Sequence, residues 1–185
     1  MPRLFVGLEL PEAVRFRLGL VRGPLPGAKW IEPEDMHITL RFVGDVDNRQ
    51  ADELVSFLDG IDQPGFEVTV RDVGAFGGNE PRVVWAGVEG GEALAQLHRA
   101  VERACRSVGL APEPRAFKPH VTLARLKGAR PDAVARFLGS RLRLTTDPFR
   151  VESFALFSSR PRVGGGPYVV ENVFPLGRRE ARSGP

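Results

Sequence analysis

Apolar residues in this chain follow two rhythms, alternating and helical, and the succession of the two repeats. Leu4–Leu10 is a short apolar run of strand length. Pro11 then opens a helical stretch in which Val14, Leu18 and Val21 recur up to the Gly23-Pro24 break. His37–Val43 is rich in strand formers and closes at Gly44. Asp47 followed by Gln50 predicts an N-cap with a reciprocal partner, and Ala51, Leu54, Val55 and Leu58 give an amphipathic helix ending at Gly60. Phe66–Val73 alternates as a half-buried strand does, and a turn-rich loop over 74–82 follows. Val83–Val88 is a compact apolar strand. Leu94, Leu97, Val101, Cys105 and Val108 mark a long helix stopped by Gly109. The proline-rich segment 111–119 reads as an extended connector. His120–Leu126 is the next strand, Pro131–Leu138 a short helix, and Phe149–Phe157 and Tyr168–Leu176 the last two strands, joined by a hairpin loop over 158–167.

The first strand and helix lead to His37, and the strand at Val83 and its helix lead, over a comparable distance, to His120. Two related strand–helix–strand units are implied, each ending in one phrase: "HITL" at 37–40 and "HVTL" at 120–123. The natural geometry is an α+β domain of two lobes about an approximate twofold axis, with a site between them. We take 1–178 as that single domain and 179–185 as a frayed tail.

Residues i and i+2 of a strand share a face. His37 and Thr39 therefore share one, as do His120 and Thr122, while Ile38, Leu40, Val121 and Leu123 point to the core. Imidazole can give or take a proton near neutrality. Two imidazoles on opposite sides of phosphorus can supply the base and the acid of an in-line displacement. Threonine hydroxyls can hydrogen-bond the non-bridging oxygens where charge develops. A lone His-x-Thr occurs by chance; two copies in matching places, using two of only three histidines, carry the catalytic reading. The third, His98, reads as a residue of a solvated helix face. By alternation Arg41 shares the face of His37 and Thr39, where it can hold RNA or simply meet solvent.

Composition narrows the alternatives. The chain has 185 residues, 42% apolar and 26% charged, ordinary for a globular domain that needs no staples. No apolar stretch has membrane-spanning length and the opening lacks a signal-peptide core, so a cytoplasmic address and no membrane are expected. Cys105 is alone, which rules out an intrachain disulfide and leaves a buried structural thiol as the simplest reading. A net charge of +3, almost all from arginine, tolerates a polyanionic partner without demonstrating one. Phosphate-binding and dinucleotide-binding glycine loops, the His-Glu-x-x-His zinc spacing and a nucleophile elbow are all absent, and neither His strand contains an acid. We expect no cofactor and no metal.

The two His-x-Thr-hydrophobic strands resemble the hallmark of the two-histidine phosphoesterases. Within that superfamily the chain is similar to the bacterial and archaeal RNA 2′,3′-cyclic phosphodiesterases, historically called 2′-5′ RNA ligases. The resemblance runs through "RLFVGLELPEAV", "KWIEPEDMHITLRFVGDV", "RVVWAGVEG", "FKPHVTLARL" and "FALFSSRPRVGGGPYVVENVFPL", nearly the whole chain. It implies a bilobed fold of two pseudo-twofold-related antiparallel sheets with outer helices and a central cleft. It implies hydrolysis of an RNA terminal 2′,3′-cyclic phosphate to a 2′-phosphomonoester without metal, with 2′-5′ ligation as the reverse. On this resemblance His37 is the proton donor, His120 the acceptor, and Thr39 and Thr122 hold phosphate. Phe42 and Arg125, each five residues after its histidine, also match. Phe42 is open to two readings, a base stack or a core aromatic, and Arg125 reads as a phosphate contact. Strict alternation puts both on the wrong face, so a bulge or strand end must turn them in. The expected partner is RNA with a cyclic phosphate end, met by a monomer. The alternatives are a cyclic nucleotide such as ADP-ribose cyclic phosphate, and a nucleotide- or RNA-binding module without turnover.

Overall fold

The computed structural model of the protein describes residues 3–159 and 168–177. The first unit is β1 (Arg3–Glu9), α1 (Glu12–Gly19), β2 (Ala28–Trp30), a 3-10 turn at Pro33–Asp35, β3 (His37–Asp45) and α2 (Asn48–Asp59). Then come β4 (Phe66–Phe76), β5 (Val83–Glu89), α3 (Gly91–Ser107), β6 (His120–Leu126), α4 (Pro131–Gly139), β7 (Phe149–Val151), β8 (Ser153–Ser159) and β9 (Tyr168–Pro175).

The strands are antiparallel and follow the order β7-β4-β5-β6-β3-β1-β8-β9, with β2 beside the end of β6. The two halves, β3-β1-β8-β9 and β6-β5-β4-β7, meet through one registered pair, Ile38 with Val121. Each unit sends a later strand to the other half: β4, after α2, lies beside β5, and β8, after α4 and β7, lies beside β1. This exchange ties the lobes together. One large apolar core runs beneath both, with Leu8, Ile38, Leu54, Leu97, Val121 and Leu123 almost wholly buried, and a smaller cluster gathers Phe5, Ala155 and Phe157. Each such side chain stabilises the fold by about 1.5–3 kcal/mol relative to exposure.

The local signals act largely as expected. Asp47 caps α2 by accepting from the Gln50 amide at 2.7 Å. The reciprocal bond does not form; the Gln50 side chain instead donates to the Val108 carbonyl at 2.9 Å, pinning α2 to the end of α3. Gly109 follows α3 with φ +88°, a left-handed conformation that favours glycine. Cys105 is fully buried and its thiol is pushed up to about 11 by desolvation.

Two expectations need correction. The stretch 149–157 is two strands, not one: β7 pairs with β4 and β8 with β1, so the chain changes halves around Glu152. β2 and the 3-10 turn were unforeseen; 28–31 runs along β6, with the Ile31 amide donating to the Leu123 carbonyl, and the 3-10 turn then leads into β3. Of the expected hairpin loop over 158–167, Ser158 and Ser159 belong to β8 and 160–167 lie outside the described residues, as does the tail at 179–185.

Candidate active site

The pair Ile38 with Val121 is the geometric centre of the site. Antiparallel register about it sets His37 across from Thr122 and Thr39 across from His120. The two imidazoles thus occupy one diagonal of a four-residue patch and the two hydroxyls the other. Ile38 and Val121 are completely buried on the opposite face, while all four motif side chains are half-buried.

Both histidines are aimed by the same device. The Nδ1–H of His37 donates to the Asp35 carbonyl at 2.8 Å, and that of His120 to the Lys118 carbonyl at 2.6 Å. A carbonyl only accepts, so Nδ1 carries the proton in each ring and Nε2 faces the cleft. The Thr39 hydroxyl lies 3.0 Å from His37 Nε2 and donates to it when the ring is neutral. The surroundings then diverge. His37 stands in an aromatic niche, with ring centroids of Phe5 at 4.7 Å, Tyr168 at 5.0 Å and Phe157 at 5.9 Å. Burial lowers its pKa, the Asp35 hydrogen bond offsets part of that, and Arg125 and His120 lower it further. His120 meets the edge of Phe76 at 5.0 Å, and Phe76 in turn packs on Trp85 at 5.5 Å. A Cβ on Gly74 would sit 2.2 Å from the Trp85 ring, so glycine there lets the indole lie flat across the neighbouring strand.

A bulge decides which later residues reach the cleft. Val6 pairs with Arg41 but Gly7 pairs with Thr39, so Leu40 is an extra residue in β3. Val84 pairs with Ala124 but Trp85 pairs with Thr122, so Leu123 is the equivalent extra residue in β6. The two bulges occupy the same place after each histidine and reverse the alternation beyond it. Phe42 and Arg125 are thereby turned to the cleft side and are exposed, whereas Ala124 is buried. Phe42 lies opposite Phe5, 6.0 Å from it by centroid, at 53% exposure; it is an exposed ring and not a core filler.

The same bulge corrects the reading of Arg41. Its side chain is buried on the α3 side, where Nε donates to Glu102 at 2.6 Å and the guanidinium also bonds the carbonyls of Phe42 and Ala111. Glu102 further accepts from the Glu113 amide at 3.1 Å, so Arg41 anchors the connector leading to the second motif and is not placed to touch RNA. His98 also departs from expectation: its ring stacks on Phe117, with centroids 3.9 Å apart, on that same connector. The aromatic niche was missed altogether. Part of its signal was present, since Phe5 lies on the strand next to the first motif strand, but the pairing of β8 with β1 that brings in Phe157 cannot be read from spacing.

Among the described residues, no three His, Cys, Asp or Glu side chains gather as metal ligands. The patch offers instead two proton carriers, two hydroxyls and one exposed guanidinium around a common point, a set suited to phosphoryl chemistry.

Comparison with known proteins agrees. The family model described as the 2′-5′ RNA ligase superfamily matches residues 11–161. An RNA 2′,3′-cyclic phosphodiesterase of Methanothermobacter thermautotrophicus is 33% identical over 184 residues, covering 94% of this chain and 98% of that protein. One of Aeropyrum pernix is 47% identical over 104 residues, which span 55% of this chain and 59% of the relative's length. The crystal structure of Escherichia coli LigT complexed with 3′-AMP superposes with a TM-score of 0.77 at 25% identity, covering 96% of this chain and 99% of that one.

Proposed function

The chain belongs to the 2′-5′ RNA ligase superfamily, and from that premise we propose that it opens the 2′,3′-cyclic phosphate at an RNA end to a 2′-phosphomonoester. The observation that carries this reading is the diagonal of two imidazoles, each held through Nδ1 so that Nε2 is left for the cleft, with a threonine two residues after each histidine. Relatives named RNA 2′,3′-cyclic phosphodiesterase and a neighbour crystallised with 3′-AMP support it.

In the reaction, water attacks phosphorus in line with the 3′ oxygen. His120 Nε2 takes the proton from the water as the new P–O bond forms, and His37 Nε2 gives a proton to the 3′ oxygen as the old bond breaks. Thr39 and Thr122 donate to the non-bridging oxygens and Arg125 offsets the developing charge. Phe42 stacks on the terminal base. His37 prefers the neutral state in the empty site. A bound phosphate anion counters the Arg125 charge and favours the imidazolium, so substrate itself loads the acid. A 5′-hydroxyl in place of water would make a 2′–5′ linkage by the same steps; water outcompetes it by abundance.

The reading takes the enzyme as a monomer, and as cytoplasmic, in keeping with a lone buried cysteine. Among the described residues no helix is long and apolar enough to cross a membrane. The test is to incubate the protein, in excess EDTA, with an oligoribonucleotide ending in a 2′,3′-cyclic phosphate. Conversion to the 2′-phosphate is expected. Dependence on added metal, or release of a 3′-phosphate, would contradict the reading.

A further inference from the structure

β2 adds a second cation to the cleft at a position that the His-x-Thr pattern does not reveal. Its central residue, Lys29, is paired directly across from Arg125 of β6. Residues opposite each other in antiparallel strands project from the same face, with Cα atoms about 4.5–5.5 Å apart. Their neighbours confirm the sides: Trp30 packs on Phe137 of α4 and Ala124 is buried, so Lys29 and Arg125 both point the other way, toward the cleft. Both are exposed, and among the described residues neither forms an ion pair, although many other arginines do. Two like charges placed opposite on one face destabilise a sheet unless an anion lies between or beyond them. Arg125 reaches toward the reacting phosphate. Lys29 lies on the stretch that leads into β3 along the same edge of β6, at the end of the cleft away from the exposed ring of Phe42.

We propose that Lys29 binds the phosphodiester on the 5′ side of the terminal nucleotide, making the site one for oligonucleotide ends in preference to cyclic mononucleotides. This rests on the cyclic phosphodiesterase reading. A terminal nucleotide with its cyclic phosphate over the imidazoles presents its base in one direction and its 5′-phosphate in the other. The cleft has a stacking surface at one end and a second cation at the other. A cyclic mononucleotide fills only the first.

The experiment compares wild type with Lys29→Ala, Lys29→Glu and Lys29→Arg on adenosine 2′,3′-cyclic phosphate and on a short oligoribonucleotide ending in 2′,3′-cyclic phosphate. The readout is the ratio of kcat/KM for the oligonucleotide to that for the mononucleotide, and its salt dependence. Lys29→Ala should lower the ratio roughly fivefold through KM, the scale of one exposed ion pair. Lys29→Glu should lower it further, and Lys29→Arg should keep it. The slope of log(kcat/KM) against log[salt] on the oligonucleotide should become shallower by roughly 0.7, the loss of one single-strand phosphate contact. An unchanged ratio, including an equal loss on both substrates, would overturn the proposal. If wild type opens neither substrate, the cyclic phosphodiesterase reading fails. Fluorescence anisotropy of the same oligonucleotide then still judges Lys29, because an identical Kd for Lys29→Glu and wild type would overturn its role.

Discussion

The two His-x-Thr strands are copies in everything that aims a proton and differ in nearly everything that meets the rest of the substrate. Each orients its histidine through the carbonyl two residues earlier, and each bulges at the following leucine. Past the bulge the rows across the sheet diverge. In the first half Phe42, Phe5 and Phe157 stand in line. In the second, Arg125, Val83 and Phe76 take the equivalent places, and Lys29 of β2 adds a further one beside Arg125. One arm is a stacking surface and the other a cationic rail. In the proposed reaction the symmetric part supplies two matched proton carriers, and the asymmetric part suits a nucleotide, which has a base at one end and a phosphate at the other.

The largest effect should come from breaking the symmetric part. His37→Ala and His120→Ala should each lower kcat by roughly 100-fold to 10,000-fold, the usual range for a positioned acid or base, with unchanged circular dichroism. Near-normal turnover in either variant would remove that histidine from the mechanism.

Next comes the residue after the bulge on the buried side. Arg41 in β3 has Ala124 as its counterpart in β6, yet it holds Glu102 and the connector carbonyl of Ala111. Arg41→Ala leaves Glu102 partly buried without its partner and should cost about 3–5 kcal/mol, measured by urea denaturation. A change within about 0.5 kcal/mol, typical of a surface site, would show that the network holds nothing together.

Smaller again is the effect of the exposed cation. Arg125→Ala should reduce kcat/KM about 10-fold to 100-fold, as loss of a charge-assisted phosphate contact does, while Phe42→Ala should act mainly on KM. If the two variants behaved alike, the contrast between a stacking and a cationic arm would collapse.

The pH profile sharpens the contrast most finely. His37 has a lowered pKa in the free protein, so the imidazolium needed as acid is lost as pH rises through a value below 6.5. The descending limb of kcat/KM, which reports the free enzyme, should therefore start below 6.5. Bound phosphate raises the pKa, so the descending limb of kcat should lie at higher pH. Coincident limbs would deny that substrate loads the acid. Stability moves in the opposite direction: the unfolded chain binds the proton more readily than the native one, so this histidine withdraws stability as pH falls from 6.5 toward its lowered value.

Much of this was legible in the sequence. The helices, the two motif strands and the repeat of strand, helix and histidine follow from periodicity and caps, and so does the pairing of the histidines into one site. What escaped is what periodicity does not encode. A bulge adds a residue without altering the apolar pattern, so Arg41 was placed on the cleft side although its guanidinium faces α3. The need for a bulge to turn in Phe42 and Arg125 was visible; its further consequence for Arg41 was not drawn. The passage from β7 to β8 reads as one continuous strand because both halves bury the same residue types. β2 is three residues long and stable only through β6, so no local signal marks it, and Lys29 was missed with it.

The division of labour between the two imidazoles is tested most directly by a substrate whose leaving group needs no proton. An oligonucleotide ending in a 2′,3′-cyclic phosphorothiolate, with sulfur at the 3′ bridging position, releases a thiolate. With His37 as donor and His120 as acceptor, His37→Ala should regain most of the wild-type rate on this substrate while His120→Ala stays impaired. Recovery by His120→Ala and not His37→Ala would reverse the assignment, and recovery by neither would contradict it.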